Sequence, residues 1–536
     1  MKRHGFLFGS IILMASAMIA KILGAFFRIP LTDLLGGTGM GYFSSAYALF
    51  LPIFALSVTG MNTAVSALTA EAAANQQPEY QHAIRNNALL LFGSFGLVGS
   101  VILYFGADPV CTHLLQNPLA SDAVKALSPT VFFCCLSAVW RGVWEGSCFM
   151  LPTAVSQALE SMIRLFCGLW FCYSVLSHGG SLQQAAAAAI FGVTISTAIG
   201  FLSLLCWKKT KAQLPASAVS TTISHKAIRK QLLRLLIPVS FSALVTNMTS
   251  LIDLTTVMRC MIALITRSPQ TFGLLSAPSR ADAIAIANFL YGAFSGLAVT
   301  VFNLVPSVTN MLGKSVLPAF ASAYAKKDTA QMYTHAVAAI RMTAILAIPA
   351  GLGVFTLAEP ILLFLFPSRP EEIAIAASPL MILGLAMIFL AISVPIFSML
   401  QAAGSAMEPV RIMLWGIAVK LPCNLLLMQS PSIHLRGAAI ATLLCYLVIV
   451  IRAVLILRRK TAVSLPMVSI CLPPTIGGIG CALTAWYLYH HVSGLGHTAL
   501  LLAIAGGGIV YLCILRCFGI HRLMASKHAN AESASH

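Results

Sequence analysis

Residues 141–165, RGVWEGSCFMLPTAVSQALESMIRL, put two arginines and two glutamates into a chain that is otherwise 58% hydrophobic and only 9% charged. Arg141 and Glu145 are four residues apart, as are Glu160 and Arg164, and Leu151-Pro152 marks a turn between the two pairs. On either side of this stretch the sequence is apolar for long runs, and the mean hydropathy of +0.89 is that of a membrane protein. Runs of about 20 residues suffice to cross about 30 Å of hydrocarbon. Fourteen of them follow one another, which makes the chain an all-α integral membrane protein.

The expected spans are 6–29, 43–70, 87–106, 126–148, 152–176 and 184–207, then 235–259, 284–312, 342–366, 378–401, 410–428 and 437–457, and finally 466–488 and 498–518. Lys and Arg gather on alternate joints, at Lys2 and Arg3, Arg85, Lys208 to Arg234, Lys326, Lys327 and Arg341, Arg458 to Lys460, and Arg522 and Lys527. The positive-inside rule therefore places both termini in the cytoplasm of a cell membrane, and a bacterial one is expected. Ala15-Ser16-Ala17 after a basic start imitates a signal-peptide cleavage site, but the apolar run continues to Ile29 and reads as the first span. The formal charge of +18 follows from topology and anionic headgroups, so no nucleic-acid partner is indicated, while membrane lipids are. Within the joint, HKAIRKQLLRLL (225–236) sets Lys226, Arg229, Lys230 and Arg234 against Ile228, Leu232 and Leu235, the pattern of a helix lying on the inner leaflet.

Enzyme chemistry has little support. The fourteen cysteines contain no C-x-x-C and lie mostly within spans, no H-E-x-x-H is present, and Gly313-Lys314-Ser315 lacks the first glycine of a P-loop, since position 308 is Val. No catalytic residue, metal site or cofactor is assigned. A coupling ion, H+ or Na+, is the one small partner left open.

The halves of the chain resemble each other. VSALTAEA (65–72) matches VLPAFASA (316–323), Tyr80-x-His82-Ala83 matches Tyr333-x-His335-Ala336, and MLPTAVSQ (150–157) and MEPVRIML (407–414) both place Pro at the start of a fifth span. The domain reading is a six-helix lobe over 1–207, a basic cytoplasmic linker over 208–234, a second six-helix lobe over 235–457, and two extra helices with a tail over 458–536. Repeats of this kind are a transporter layout, with a cavity near the bilayer midplane.

Each charge inside the membrane costs about 2.5–3.5 kcal/mol on insertion scales, so each needs a partner or a watery cavity. Arg141 and Glu160 lie ten and nine residues from Leu151 and thus at similar depth, placed to pair, and each also has an i,i+4 partner on its own helix. The network either pins two helices together or serves a ligand. Lys21 and Arg28 share one face of the first span; Arg28 either lines the interior or reaches the outer surface. Asp253 takes the corresponding place in the second half and balances that charge, while Lys314, Lys420 and Arg280 are further candidates that could lie near helix ends. A cavity lined by guanidinium groups suits an anionic ligand such as a diphosphate.

These residues carry a resemblance. Lys21-x-x-Gly24 with Arg28, Arg141-Gly142 with Gly146, and Met150-x-Pro152-Thr153-Ala154-x-Ser156-Gln157-x-x-Glu160-x-x-x-Arg164 resemble the stage V sporulation protein B family of polysaccharide transport proteins, as do Leu400-Gln401, Gly404, Pro409, Gly416, Lys420, Asn424 and Gly437-Ala438-Ala439. That family belongs to the MOP flippase superfamily, with MurJ-type lipid II flippases, Wzx-type flippases and MATE exporters. The resemblance implies a MATE-like fold of fourteen transmembrane helices, two six-helix lobes plus two C-terminal helices. It also implies alternating access for an undecaprenyl-linked sugar, such as the peptidoglycan precursor lipid II, moved from the inner to the outer leaflet. By the match, Lys21 and Arg28 become headgroup contacts, and Arg141, Glu145, Gln157, Glu160 and Arg164 line or gate the cytoplasmic half. Two departures stand out: Glu145 replaces an expected Gln, and Val305-Pro306 follows Asn303-Leu304 where Asn-Leu-Pro is expected. The alternatives are a cation-coupled multidrug exporter of MATE type and a membrane scaffold for cell-wall synthesis proteins; a monomer is expected.

Overall fold

The computed structural model describes residues 3–207, 224–405, 407–491 and 497–518, with the side chains of 3–11, 14, 308, 310–315, 317–318 and 497 outside the description. The basic joint at 208–223, the loop at 492–496, the tail from 519 and the Lys314 side chain therefore lie outside the described residues.

The described residues form helices and no strand, as a backbone crossing hydrocarbon requires when its N–H and C=O groups must be satisfied within each segment. The main helices are α1 (Arg3–Phe54), α2 (Met61–Ala74), α3 (Pro78–Phe105), α4 (Ser121–Gly146), α5 (Leu151–Ser177), α6 (Leu182–Leu205), α7 (His225–Arg267), α8 (Arg280–Ala293), α9 (Leu304–Ala325), α10 (Thr329–Thr356), α11 (Pro370–Ala402), α12 (Glu408–Leu427), α13 (Arg436–Thr461), α14 (Met467–His491) and α15 (His497–Cys517). Thirteen helices among the described residues are long and apolar enough to cross a membrane. The first of them, Ala15–Ala74, has 60 residues, about 90 Å at 1.5 Å per residue and so long enough for two crossings, and it is kinked at Gly36. There φ is 60° and ψ is −171°, a conformation open to glycine and to few other residues. Two crossings in this one element bring the count to the expected fourteen.

Two boundaries differ from the sequence reading. The joint expected at 30–42 is a kink within continuous helix rather than a loop, because one glycine bends the chain and Ala55–Gly60 widens into π turns without ending it. The span expected over 284–312 closes at Phe302, where Asn303 interrupts the helix before Val305-Pro306, and a separate helix, α9, follows.

By packing, the chain resolves into Met1–Gly296 with Gln429–Pro431, and Leu297–Met428 with Ser432–His536. In the first unit α7 packs on α1, α2 and α3, so this boundary falls later in the chain than the one drawn from the repeat. The segment HKAIRKQLLRLL does not lie apart on the inner leaflet. It forms the opening turns of α7, and its apolar side is covered by protein: Ile228, Leu232 and Leu236 join Val65, Leu68, Ile84 and Phe92 in one buried cluster. Polar bonds fix its register, with Arg229 Nε donating to Asn87 Oδ1 at 3.0 Å and Tyr80 Oη to Gln231 Oε1 at 3.3 Å. In the second unit α10, α11 and α13 pack together, and α14 with α15 is held against α10, where Tyr511 Oη donates to the Ile345 carbonyl at 2.7 Å. Phe105, Phe166, Trp170, Leu426 and Leu483 are exposed, as lipid-facing residues are.

Candidate functional site

The turn at 147–150 returns the chain from α4 to α5, and both helices pack against α6 more extensively than against each other. The charged side chains meet in that three-helix setting. Arg141 Nη2 reaches Glu160 Oε2 at 2.8 Å and donates to Ser156 Oγ at 3.0 Å, while Arg164 Nη2 reaches Glu160 Oε1 at 2.8 Å. From α6, Thr197 Oγ1 donates to Glu160 Oε1 at 3.3 Å and the Gly200 carbonyl accepts from Ser156 Oγ at 3.0 Å. Arg141 and Glu160 are 7% and 8% exposed, so this is a buried ion triad, and two guanidinium groups on one carboxylate leave it with one positive charge in excess. The Nε–H of Arg141 and of Arg164 has no protein acceptor. Donors of that kind, fixed in a planar fork, are what a phosphate or carboxylate recognises.

The triad continues toward α1. Tyr47 is within electrostatic reach of both Arg164 and Arg28, and Tyr291, at the end of α8, of both Arg28 and Asp253. Arg164, Tyr47, Arg28, Tyr291 and Asp253 thus form a series in which each group is within electrostatic reach of the next. Tyr47 is held by a ladder of rings along α1, stacked on Phe43 at 5.5 Å and edge-on to Phe50 at 6.0 Å. Gln157 Oε1 accepts from Ser16 Oγ at 3.4 Å, tying α5 to the first half of α1.

The structure does not gather every candidate. Glu145 does not pair with Arg141, its i,i+4 neighbour: Arg141 turns to the stronger set of acceptors on α5, and the Glu145 carboxylate takes a bond from Asn62 Nδ2 on α2 at 3.1 Å. Lys21 is exposed on α1. Arg280 is exposed at the first residue of α8. Lys420, which the sequence allowed near a helix end, lies well inside α12 at 2% exposure, with the fully buried Asn424 one turn on. Tyr47, Tyr291 and Thr197 escaped the sequence reading, and Ser156 entered it only as a motif position, because tyrosine and hydroxyl residues in apolar helices carry no charge signal. Tyr47 alone was within reach, in the middle of the aromatic series Phe43, Tyr47, Phe50 and Phe54 at spacings of three and four residues.

Fold and site together define a multi-pass helical membrane protein with the transporter fold of the MOP superfamily. The chain belongs to the polysaccharide biosynthesis protein family, which matches over residues 6–324, more than half its length, and the MatE family matches over 292–426. It is 24% identical over 452 residues to stage V sporulation protein B of Bacillus subtilis, covering 82% of this chain and 81% of that one. The lipid II flippase MurJ of Bacillus subtilis is 23% identical over 529 residues, with 94% of each chain covered. A solved lipid II flippase MurJ in an inward closed conformation superposes with a TM-score of 0.69 at 16% identity, over 96% of this chain and 100% of that one. These relatives are flippases and transporters, and this chain falls in that class rather than among enzymes.

Proposed function

We propose that this protein moves a lipid-linked oligosaccharide carrying a diphosphate, lipid II or a related precursor, from the inner to the outer leaflet by alternating access. The observation that carries this reading is the run of guanidinium groups inside the membrane, Arg141 and Arg164 on Glu160 and Arg28 beyond Tyr47, with more positive than negative charge and with Nε–H donors on Arg141 and Arg164 that no protein group takes. Such a surface attracts a diphosphate and repels an organic cation, which weighs against drug export of the MATE type. In this reading Arg28 and Arg164 hold the diphosphate, Tyr47 spaces them, and Lys21, exposed on the same helix, meets the headgroup as it enters. Arg141, Glu160 and Gln157 keep α4, α5 and α1 in register around it, and Asp253 sets the end of the cationic run. The termini are cytoplasmic, the two similar halves move against each other, and the transported sugar lipid is the partner.

Binding tests this directly. The purified protein in detergent is expected to bind undecaprenyl diphosphate in a saturable, salt-sensitive manner, and both R28A and R164A to weaken that binding by about tenfold or more, the loss of one charge-assisted contact. Equal binding by wild type and both variants, or preference for a cationic amphiphile, would remove the diphosphate from the account.

A further inference from the structure

In the second unit, α12 and α13 carry a charge that no acid of theirs answers. Arg452 of α13 lies over the indole of Trp415 of α12, its guanidinium carbon 4.4 Å from the ring centroid. α13 contains no acidic residue, and α12 contains Glu408 alone, which is held by Arg411 at 3.0 Å and by Lys460 at 3.7 Å. Among the described residues Arg452 makes no ion pair and no hydrogen bond; the ring covers one face of its guanidinium and leaves the N–H groups along its edge without an acceptor. Arg85, which stacks on Trp140, differs in this respect, since Asn86 Oδ1 accepts from its Nε and Nη2.

The Glu408–Lys460 pair sets the first turn of α12 level with the last turn of α13, at the end where Arg458, Arg459 and Lys460 cluster, and the positive-inside rule assigns that end to the inner leaflet. Trp415 and Arg452 are seven and eight residues from this level, about 10–12 Å along each helix. α13 has 26 residues, about 39 Å of helix against about 30 Å of hydrocarbon, so the Arg452 backbone is within the apolar layer. A Cβ at Gly416 would meet Ile449 Cδ1 at 2.6 Å, a close approach that holds the two helices together beside the pair. The surface around it is open and apolar: Trp415 is 54% exposed, and Leu414, Ile451 and Leu455 are exposed near it in sequence.

A guanidinium in the apolar layer calls for a counter-charge, and its planar fork of donors fits two oxygens of a phosphate. Exposed aliphatic side chains on both helices suit acyl chains. At this end five cations, Arg411, Arg452, Arg458, Arg459 and Lys460, stand against Glu408 on the same two helices, which favours a headgroup whose phosphodiester charge is not cancelled by its own ammonium. We infer that Arg452 and Trp415 form a binding site for one anionic phospholipid of the inner leaflet, the guanidinium on the phosphodiester and the indole against the first carbons of the lipid. The site uses none of the residues assigned to the diphosphate of the sugar lipid, so it does not depend on the transport reading.

The experiment is native mass spectrometry of the full-length protein in detergent, titrated with dioleoylphosphatidylglycerol or dioleoylphosphatidylcholine. The wild type is expected to take one phosphatidylglycerol at least about tenfold more tightly than phosphatidylcholine, and R452Q to lose that preference. W415L is expected to weaken phosphatidylglycerol binding about threefold or more, while R516Q, which removes an exposed cation from the last turn of α15, keeps it. Thermal unfolding establishes that the variants fold, and phosphatidylglycerol is expected to raise the unfolding midpoint of the wild type but not of R452Q. Equal binding of the two lipids by the wild type, undiminished preference in folded R452Q or W415L, or a loss in R516Q as large as in R452Q would overturn the site. Displacement of the bound phosphatidylglycerol by equimolar undecaprenyl diphosphate, in wild type and R28A alike, would give the site to the sugar-lipid carrier and overturn the phospholipid.

Discussion

Glu160 holds two arginines, and this sets an order among its variants. Removing one partner of a buried ion pair costs about 3–5 kcal/mol because the other charge is left uncompensated. E160Q strands both Arg141 and Arg164, whereas R141M leaves Glu160 still bound to Arg164. Unfolding measurements in detergent are therefore expected to show E160Q as the less stable of the two by a clear margin; R141M equal to or worse than E160Q would mean that the triad is not the unit described here. Outside the spans, His434 sits on the turn before α13, where burial, reinforced by the nearby Arg436 charge, holds its imidazole below the usual histidine value. A base whose folded value is depressed contributes stability above its unfolded value, about 6.5, and that contribution is lost as the pH falls from there through the folded value. The unfolding midpoint is expected to drop more between about pH 7.5 and 5.5 in the wild type than in H434Q. Of these residues, the sequence revealed Arg141 and Glu160, through similar distances from a turn, but not the Thr197 hydroxyl and the Gly200 carbonyl of α6 that complete the network, because Thr197 and Gly200 look like any other small residues of an apolar helix.

At the level of the helices, small residues decide how closely elements approach, and polar side chains decide their register. A Cβ at Gly142 would press on the Val65 Cβ at 2.8 Å and on the Asn62 carbonyl at 2.9 Å, and the backbone oxygen cannot swing aside. G142L is accordingly expected to lower stability by about 1–3 kcal/mol in unfolding measurements in detergent, a loss that a substitution on the lipid-facing side of α5, such as F166L, does not share. The opening of α7 offers a second test. Ile228 is 1% exposed in the cluster with Val65 and Ile84, so I228A is expected to cost about 2–4 kcal/mol, whereas the same change in a helix lying on lipid would cost far less. The charge pattern of this segment was plain in the sequence; what covered its apolar side was not, since a lipid surface and a helix bundle ask for the same amphipathic spacing. The kink at Gly36 was hidden for a related reason, as one glycine among Gly36-Gly37 and Gly39 can end a helix or bend it, and only its φ distinguishes the two.

The whole molecule is where sequence and structure agree most readily, because hydrocarbon thickness fixes how much apolar chain each crossing needs. Orientation rests on the basic joints, and Cys206, exposed at the end of α6 beside the largest of them, reports it. An impermeant thiol reagent is expected to label Cys206 in inverted vesicles and not in intact cells; the reverse would invert the topology and the direction of transport with it. The most direct test of the central claim is translocation of fluorescent lipid II and related undecaprenyl-linked sugars by the purified protein in liposomes, with and without a Na+ gradient, comparing wild type with R28A and R164A. Movement between leaflets that falls at least about tenfold in both variants while they remain folded is the predicted result. Folded wild type that moves none of these lipids under a gradient of either sign, or variants that move them as well as wild type, would contradict it.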